Sequence, residues 1–460
     1  MPRPGLHLAS PTEDDAGCTC FGLFPTPTST LSSVRVTEDE ILPASLFVPL
    51  GRPESSAEDP DKALPWVSEC AVHLQLLESF SRMKAKCLKS KKLTRSLGLS
   101  KHFALAVASS EKRSQLSRAK WETFVSLAVI RFKKWWDVLP DILRETNQGK
   151  SKPEMTPKTF PPLDVLMIWI TQLFSPDHYR NMCQDSMKEW DVSTMEFPWD
   201  LLHALIDPLD STYRLPQEAK RYFHEKTGLD ADLYEHLTDV SAHDRLSRMY
   251  LQRFALSQLP GAKKFNTKEL DARPSDFSQL MRDYAMWNFA IKTLKPVVQS
   301  QENFWDKMSQ AGWLRSPHPA FTLTRAIARY RQFLQLRKLH PNSGELLPTS
   351  AIELVWRTHQ CSPVRYAVST TEIAGRFINY DDGMAKYAAV TGGFAKAEKL
   401  YKQEFGQDYD PCMCWSCEAE LAEKQAVDSN DEENARRAEA KVERALEVEK
   451  ARKAGKIVRA

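Results

Sequence analysis

From Trp66 onward, apolar residues return every three or four positions and almost never every second one. That spacing lays one apolar stripe along a helix and gives a strand no buried face, so the chain is restricted to packed helices. Cys70, His73, Leu74, Leu77 and Phe80 open the pattern, and Phe124, Leu127, Ala128, Ile130, Arg131 and Trp135 continue it within Trp121–Leu139. Further helices are predicted over 164–174, 199–206, 217–224, 232–237, 242–256, 276–294, 320–336, 352–359 and 385–404. Short turns such as Asp207-Pro208, Leu259-Pro260-Gly261 and His340 to Gly344 separate them. No alternating stretch of five residues stands out. Glycine is scarce, 16 of 460 residues, which fits short helix connections and argues against glycine-rich phosphate loops and turn-dense β folds. No apolar run approaches about 18 residues, so no membrane span and no membrane partner are expected. Met1-Pro2-Arg3-Pro4 is followed by no apolar core of a secretory signal, so an intracellular chain, cytoplasmic or nuclear, is expected.

The two ends differ from the body. Residues 1–62 are rich in Pro, Ser, Thr and acids, as in SPTEDDAG and GRPESSAEDPDK, and read as a disordered arm. One apolar island, Ile41 to Leu50, is placed to dock on the body. Residues 418–460 are rich in Ala, Glu, Lys and Arg. Glu432/Arg436, Glu433/Arg437 and Glu449/Lys453 are i,i+4 pairs in the favourable order, which predicts a solvated charged helix. Its coiled-coil seam is thin, mostly Ala with Val442 and Leu446. The expected order is an arm over 1–62, a first helical half over 63–240, a second with a Cys-rich segment over 241–417, and a charged tail over 418–460.

The two halves share a pattern. Residues 161–179, PPLDVLMIWITQLFSPDHY, align without a gap to 348–366, PTSAIELVWRTHQCSPVRY. Pro161, Trp169, Thr171, Ser175, Pro176 and Tyr179 match Pro348, Trp356, Thr358, Ser362, Pro363 and Tyr366. Upstream, AVIRFKKW from Ala128 parallels AIARYRQF from Ala326. The expected fold is therefore a mostly α, multi-helix body of two duplicated halves, with Trp169 and Trp356 as apolar anchors and each Ser-Pro ending its helix.

These residues resemble the glycine-rich domain-containing protein-like family, common in fungi with plant relatives. The resemblance runs through CAVHLQLLESF (70–80), AVIRFKKWW (128–136), PPLDVLMIW (161–169), FPWDLLHALIDP (197–208), IELVWRTHQCSP (352–363), GRFINYDD (375–382) and CMCWSCEAE (412–420). It covers roughly residues 65 to 425, without the glycine-rich tail that names the family. Family members typically carry His-x-His after each Trp and a His before the Asp-Asp pair. This chain has Ile170 and Gln172 at the first pair, Arg357 before a retained His359 at the second, and Tyr380 before Asp381-Asp382. Ala351 stands where the first copy keeps Asp164. Some relatives carry a name implying a 2-oxoglutarate-dependent sulfonate dioxygenase, so the resemblance implies a metal-dependent oxidoreductase as one functional class.

The sharpest local chemistry is Cys412-Met413-Cys414-Trp415-Ser416-Cys417. Three thiols within six residues can converge on one zinc, at about 2.3 Å each. His359 is the candidate fourth ligand, with Asp381 or Asp382 as substitutes; half-buried thiols or a redox-sensitive Cys414/Cys417 pair are the plainer readings. His359 beside Trp356 also fits a core histidine. The other cysteines of the nine, Cys18 and Cys20 among them, read as scattered and reduced.

The net charge of +3 hides an uneven distribution. Lys84, Lys86, Lys89, Lys91, Lys92 and Arg95 begin a basic run that continues through Lys101, Lys112, Arg113, Arg118 and Lys120 against the single acid Glu111. A solvated basic loop is expected, with nucleic-acid binding or nuclear import as the functional reading. Only Phe103 interleaves it, so base stacking has little to stand on. No His-x-Asp or His-x-Glu occurs, and the adjacent pairs His224-Glu225 and His243-Asp244 point about 100° apart on a helix. Walker A, GxGxxG, GxSxG and HExxH patterns do not occur, and Cys361 two residues after His359 faces away from it. The reading that follows is a non-catalytic interaction protein with a structural zinc and an unidentified protein partner; the alternatives are the metal-dependent oxidoreductase and weak nucleic-acid binding through 84–120.

Overall fold

The computed structural model describes residues 33–48, 63–106, 109–150, 152–186, 192–239, 245–265, 288–380, 382–427 and 430–460. Their regular secondary structure is almost all helix. The chain divides into two compact units, each gathered from separated stretches: one from Met1–Ala44, Trp313–Thr322 and Asp410–Ala460, the other from Ser45–Gly312 and Leu323–Tyr409.

The larger unit is built around α2 (Val67–Lys89). Its start is fixed by Glu69, whose carboxylate accepts the Trp66 N–H at 2.7 Å. Every predicted stripe residue on it is buried, and from Ser68 to Leu77 so are the residues between. This is a central helix, enclosed on all sides rather than along one stripe. It continues into α3 (Lys91–Ser96) and α4 (Ser100–Leu105). Then comes the 37-residue α5 (Ser110–Thr146), which runs through Pro140. Ile142 and Leu143 beyond the proline are buried, so packing carries the helix past a residue that lacks a donor. α6 (Leu163–Leu173), α7 (Pro176–Ser186), α8 (Trp199–Leu205), α9 (Gln217–Thr227), α10 (Leu233–Thr238) and α11 (Arg245–Leu256) follow.

α12 (Asn288–Ala311) starts within the predicted 276–294 period and runs 17 residues beyond it; residues 276–287 lie outside the described set. After α13 (Pro319–Leu339) come α14 (Ser350–Gln360) and α15 (Pro363–Ile373). The predicted single helix 385–404 is two, α16 (Asp382–Val390) and α17 (Gly393–Phe405). The break is at Gly392, whose φ of +72° side chains rarely adopt. α2 contacts α5, α8, α12 and α14.

The smaller unit joins the two ends of the described chain. Three-residue strands β1 (Val34–Val36) and β2 (Ile457–Arg459) pair in parallel, Val34 opposite Ile457. α1 (Glu38–Ile41) follows β1, its N-cap Thr37 in a reciprocal capping box with Glu40. Residues 33–48, inside the stretch that composition assigns to a disordered arm, are thus ordered, and Val36, Ile41 and Leu42 are buried. α18 (Trp415–Ala426) and α19 (Asp431–Lys453) form a helical hairpin around Trp415, Ala419, Ala438 and Val442. The tail is therefore packed on one side, not solvated all round. Its predicted ion pairs form, Glu449 to Lys453 at 3.3 Å and Glu432 to Arg436 at 3.8 Å. Arg444 ties α19 to the N-terminal segment through Glu40 at 2.9 Å and the Arg35 carbonyl at 2.8 Å.

Candidate metal centre

Cys414 is the N-cap of α18, and its Sγ accepts the Cys417 N–H at 3.5 Å. A side chain at this position folds back over the first helical turn, which brings the first and last thiols of the CxxC together. Cys412 completes the group, and the three sulfurs all lie within 4.8 Å of one another. Cys412 is exposed and the other two half-buried. The segment is held from both ends: the Met413 carbonyl accepts the Trp313 indole N–H at 2.9 Å, and Trp415 is buried in the hairpin core. Burial and the neighbouring Cys414 and Cys412 thiols push the Cys417 thiol up to about 12; burial also raises Cys412. Such thiols stay protonated until a cation takes the charge, so binding a metal here releases protons. Tetrahedral zinc–thiolate geometry places sulfurs about 3.8 Å apart, within the 4.8 Å limit that contains these three. Among the described residues this is the one gathering of three or more His, Cys, Asp or Glu ligand atoms.

Of the other predicted ligands, His359 is described with its side chain and is not part of this group. His359 belongs to the larger unit, at the end of α14. It is buried, its Nδ1 is 3.0 Å from the Tyr330 hydroxyl, and its ring meets Tyr330 and Tyr366 edge-on. Asp381 lies outside the described residues, and Asp382 opens α16. Cys18, Cys20, His243 and Asp244 are also outside the described set. Cys361 is buried and its thiol bonds back to the Arg357 carbonyl.

The Trp-centred windows fold alike. Each is an 11-residue helix followed by a second 11-residue helix that begins at the Pro of Ser-Pro: α6 then α7, α14 then α15. Trp169 and Trp356 are both buried. Upstream, Arg131 binds Asp164 at 2.5 Å and the Asp230 carbonyl at 2.7 Å. Arg329, with Ala351 in place of an acid, bonds the carbonyls of Asp408 and Tyr409.

One buried polar group has a partner that no local signal in the sequence names. His73 on α2 bonds Thr358 of α14 through Nδ1 at 2.8 Å, and Thr358 donates its own hydrogen to the Leu354 carbonyl. The imidazole is therefore neutral with its proton on Nδ1, and Nε2 is buried without a hydrogen-bond partner. Burial, reinforced by the Arg357 charge, lowers it to about 3. Three-to-four periodicity marks His73 as facing inward but cannot name a partner 285 residues away.

The basic run is not a loop. Its residues lie on α2, α3, α4 and α5, because apolar positions such as Leu93 and Leu116 anchor those helices. A cleft of about 1000 Å³ opens beside α3, lined by Lys92, Lys220, Arg221 and His224 together with Asp230, Asp232 and Glu235. It gathers both signs of charge.

No helix among the described residues is long and apolar enough to cross a membrane. The profile of the family described as glycine-rich domain-containing protein-like matches residues 239–368, which hold α11 to α14 but not Cys412, Cys414 or Cys417. Glycine-rich domain-containing proteins 1 and 2 of Arabidopsis thaliana are each 31% identical over 93 residues, 19% of this chain. The match spans only 11% and 12% of those relatives' lengths. No solved structure matches the chain. The similarity to the glycine-rich domain-containing protein-like family is thus a similarity of residues 239–368.

Proposed function

We propose that this chain is a non-catalytic interaction protein in which Cys412, Cys414 and Cys417 hold a structural zinc. The observation that carries the reading is the convergence of the three sulfurs at the start of α18. A zinc there would fix the turn that launches the α18–α19 hairpin, and its fourth position would be filled from outside the group. Thiolates select zinc and other soft cations, whereas a non-haem iron oxygenase needs two imidazoles and a carboxylate on open positions. No such gathering exists among the described residues. Elemental analysis of the purified chain tests it: one zinc per chain, lost with each of Cys412→Ser, Cys414→Ser and Cys417→Ser, is expected. Chelation should lower the melting temperature of the parent and not of the variants. A chain purified in zinc-replete medium without metal, and indifferent to added zinc, would overturn it.

We also infer that the two Trp-centred helix pairs are copies of one ancestral unit. The shared 11-residue lengths and Trp-to-Tyr bonds support this. A profile built from relatives' first windows should find their second windows; failure to do so would count against common descent.

A further inference from the structure

Eleven cations stand between Lys84 and Lys120 against one acid, Glu111. The fold engages three. Lys84 pairs with Glu302 at 3.0 Å and Asp306 at 2.8 Å, and Lys86 with Glu235 at 3.3 Å. Lys120 is buried, its ammonium bonded to the carbonyls of Leu88 and Ser90 and the Thr94 hydroxyl. The other eight are exposed, and among the described residues their charged groups have no partner. Lys91, Lys92 and Arg95 fall at i, i+1 and i+4 on α3, beside Lys89 at the end of α2. Lys101 is on α4, and Lys112, Arg113 and Arg118 are on the first turns of α5. Lys120 shows that these elements converge: its ammonium joins the α2–α3 junction and lies 5.3 Å from the Phe103 ring of α4. The exposed cations are thus carried by four helices, α2 to α5, that meet at this buried ammonium. Among them Leu105, the last residue of α4, is 86% exposed, more than any other large apolar side chain described.

We propose that this face docks on the surface of an anionic lipid bilayer, its lysines and arginines meeting headgroup phosphates and carboxylates while Leu105 enters the acyl boundary. A cationic field alone would suit any polyanion, but an apolar finger inside it suits a bilayer. A single-stranded nucleic acid needs stacking platforms, and the segment's one aromatic, Phe103, is half-buried beside Lys120. The contact is peripheral and independent of the zinc reading.

Co-sedimentation of the full chain with phosphatidylcholine vesicles, with and without phosphatidylserine, tests it. Binding is expected only with phosphatidylserine and should weaken steeply with salt. Each cation removed should cost about fivefold, so Lys91→Glu, Lys92→Glu and Arg95→Glu together should weaken binding about a hundredfold or more. Leu105→Asp should weaken it severalfold with the salt dependence and circular dichroism unchanged. Absence of binding to anionic vesicles, or equal binding to neutral ones, overturns the proposal. If Leu105→Asp binds vesicles as the parent does and nucleic acid displaces both, the patch belongs to nucleic acid instead.

Discussion

Trp356 donates its indole N–H to the hydroxyl of Tyr366, ten residues along, at 2.8 Å, and that hydroxyl donates in turn to the Ile378 carbonyl at 2.7 Å. Trp169 stands in the same relation to Tyr179 at 3.4 Å. Tyr366→Phe strands a buried donor and a buried acceptor and should destabilise the larger unit by about 1–3 kcal/mol. Tyr179→Phe breaks a longer bond and should cost about 1 kcal/mol or less. Urea unfolding followed by tryptophan fluorescence compares them; equal losses would refute the ranking.

The Arg131–Asp164 pair is buried on both sides, 2% and 4% exposed. Asp164→Ala leaves a guanidinium uncompensated in the core and should cost about 3–5 kcal/mol. Arg131→Met with Asp164→Leu removes both charges and should recover most of that loss. A double variant as unstable as the single one would show that the charges themselves stabilise the fold.

His73 makes stability pH-dependent. Its folded value of about 3 lies below the ordinary 6.5, so at intermediate pH the unfolded chain takes up a proton that the folded chain refuses. The stability it contributes is complete above about pH 6.5 and falls as pH drops toward 3. From pH 7 to pH 5 the loss is about 2 kcal/mol. Burial lowers His203 and His318 as well, so the comparison is between variants. His73→Asn should flatten the decline by that amount in melts at the two pH values; an unchanged profile would rule His73 out as the source.

Trp415 fills the core between α18 and α19. Trp415→Ala should loosen that hairpin by about 3–5 kcal/mol. Limited proteolysis should then cut within 415–460 first, with the larger unit's fragments unchanged. Uniform protection would place the hairpin's stability elsewhere.

Much of the helical pattern is legible in the residues. The stripe from Cys70 to Phe80 and both Trp-centred helices are buried as their spacing predicts. The predicted set of helices lacks α7 and α15, which begin at the Pro taken to end the preceding helix; Ser-Pro ends one helix and starts the next. The candidate metal centre is legible for a similar reason, because three thiols in six residues meet through one local turn.

Alone, the sequence determined what depends on neighbours within a turn or two: helix spacing, caps, i,i+4 charge pairs and the sulfur cluster. Tertiary structure decided everything that joins distant residues. It paired Val34 with Ile457, set His73 against Thr358, and placed His359 among tyrosines in the larger unit. It also drew Lys120 into the core while leaving Lys91, Lys92 and Arg95 in solvent. Identical charges carry no mark of which will be buried; that follows from which carbonyls the packed helices leave unpaired, and only the assembled chain settles it.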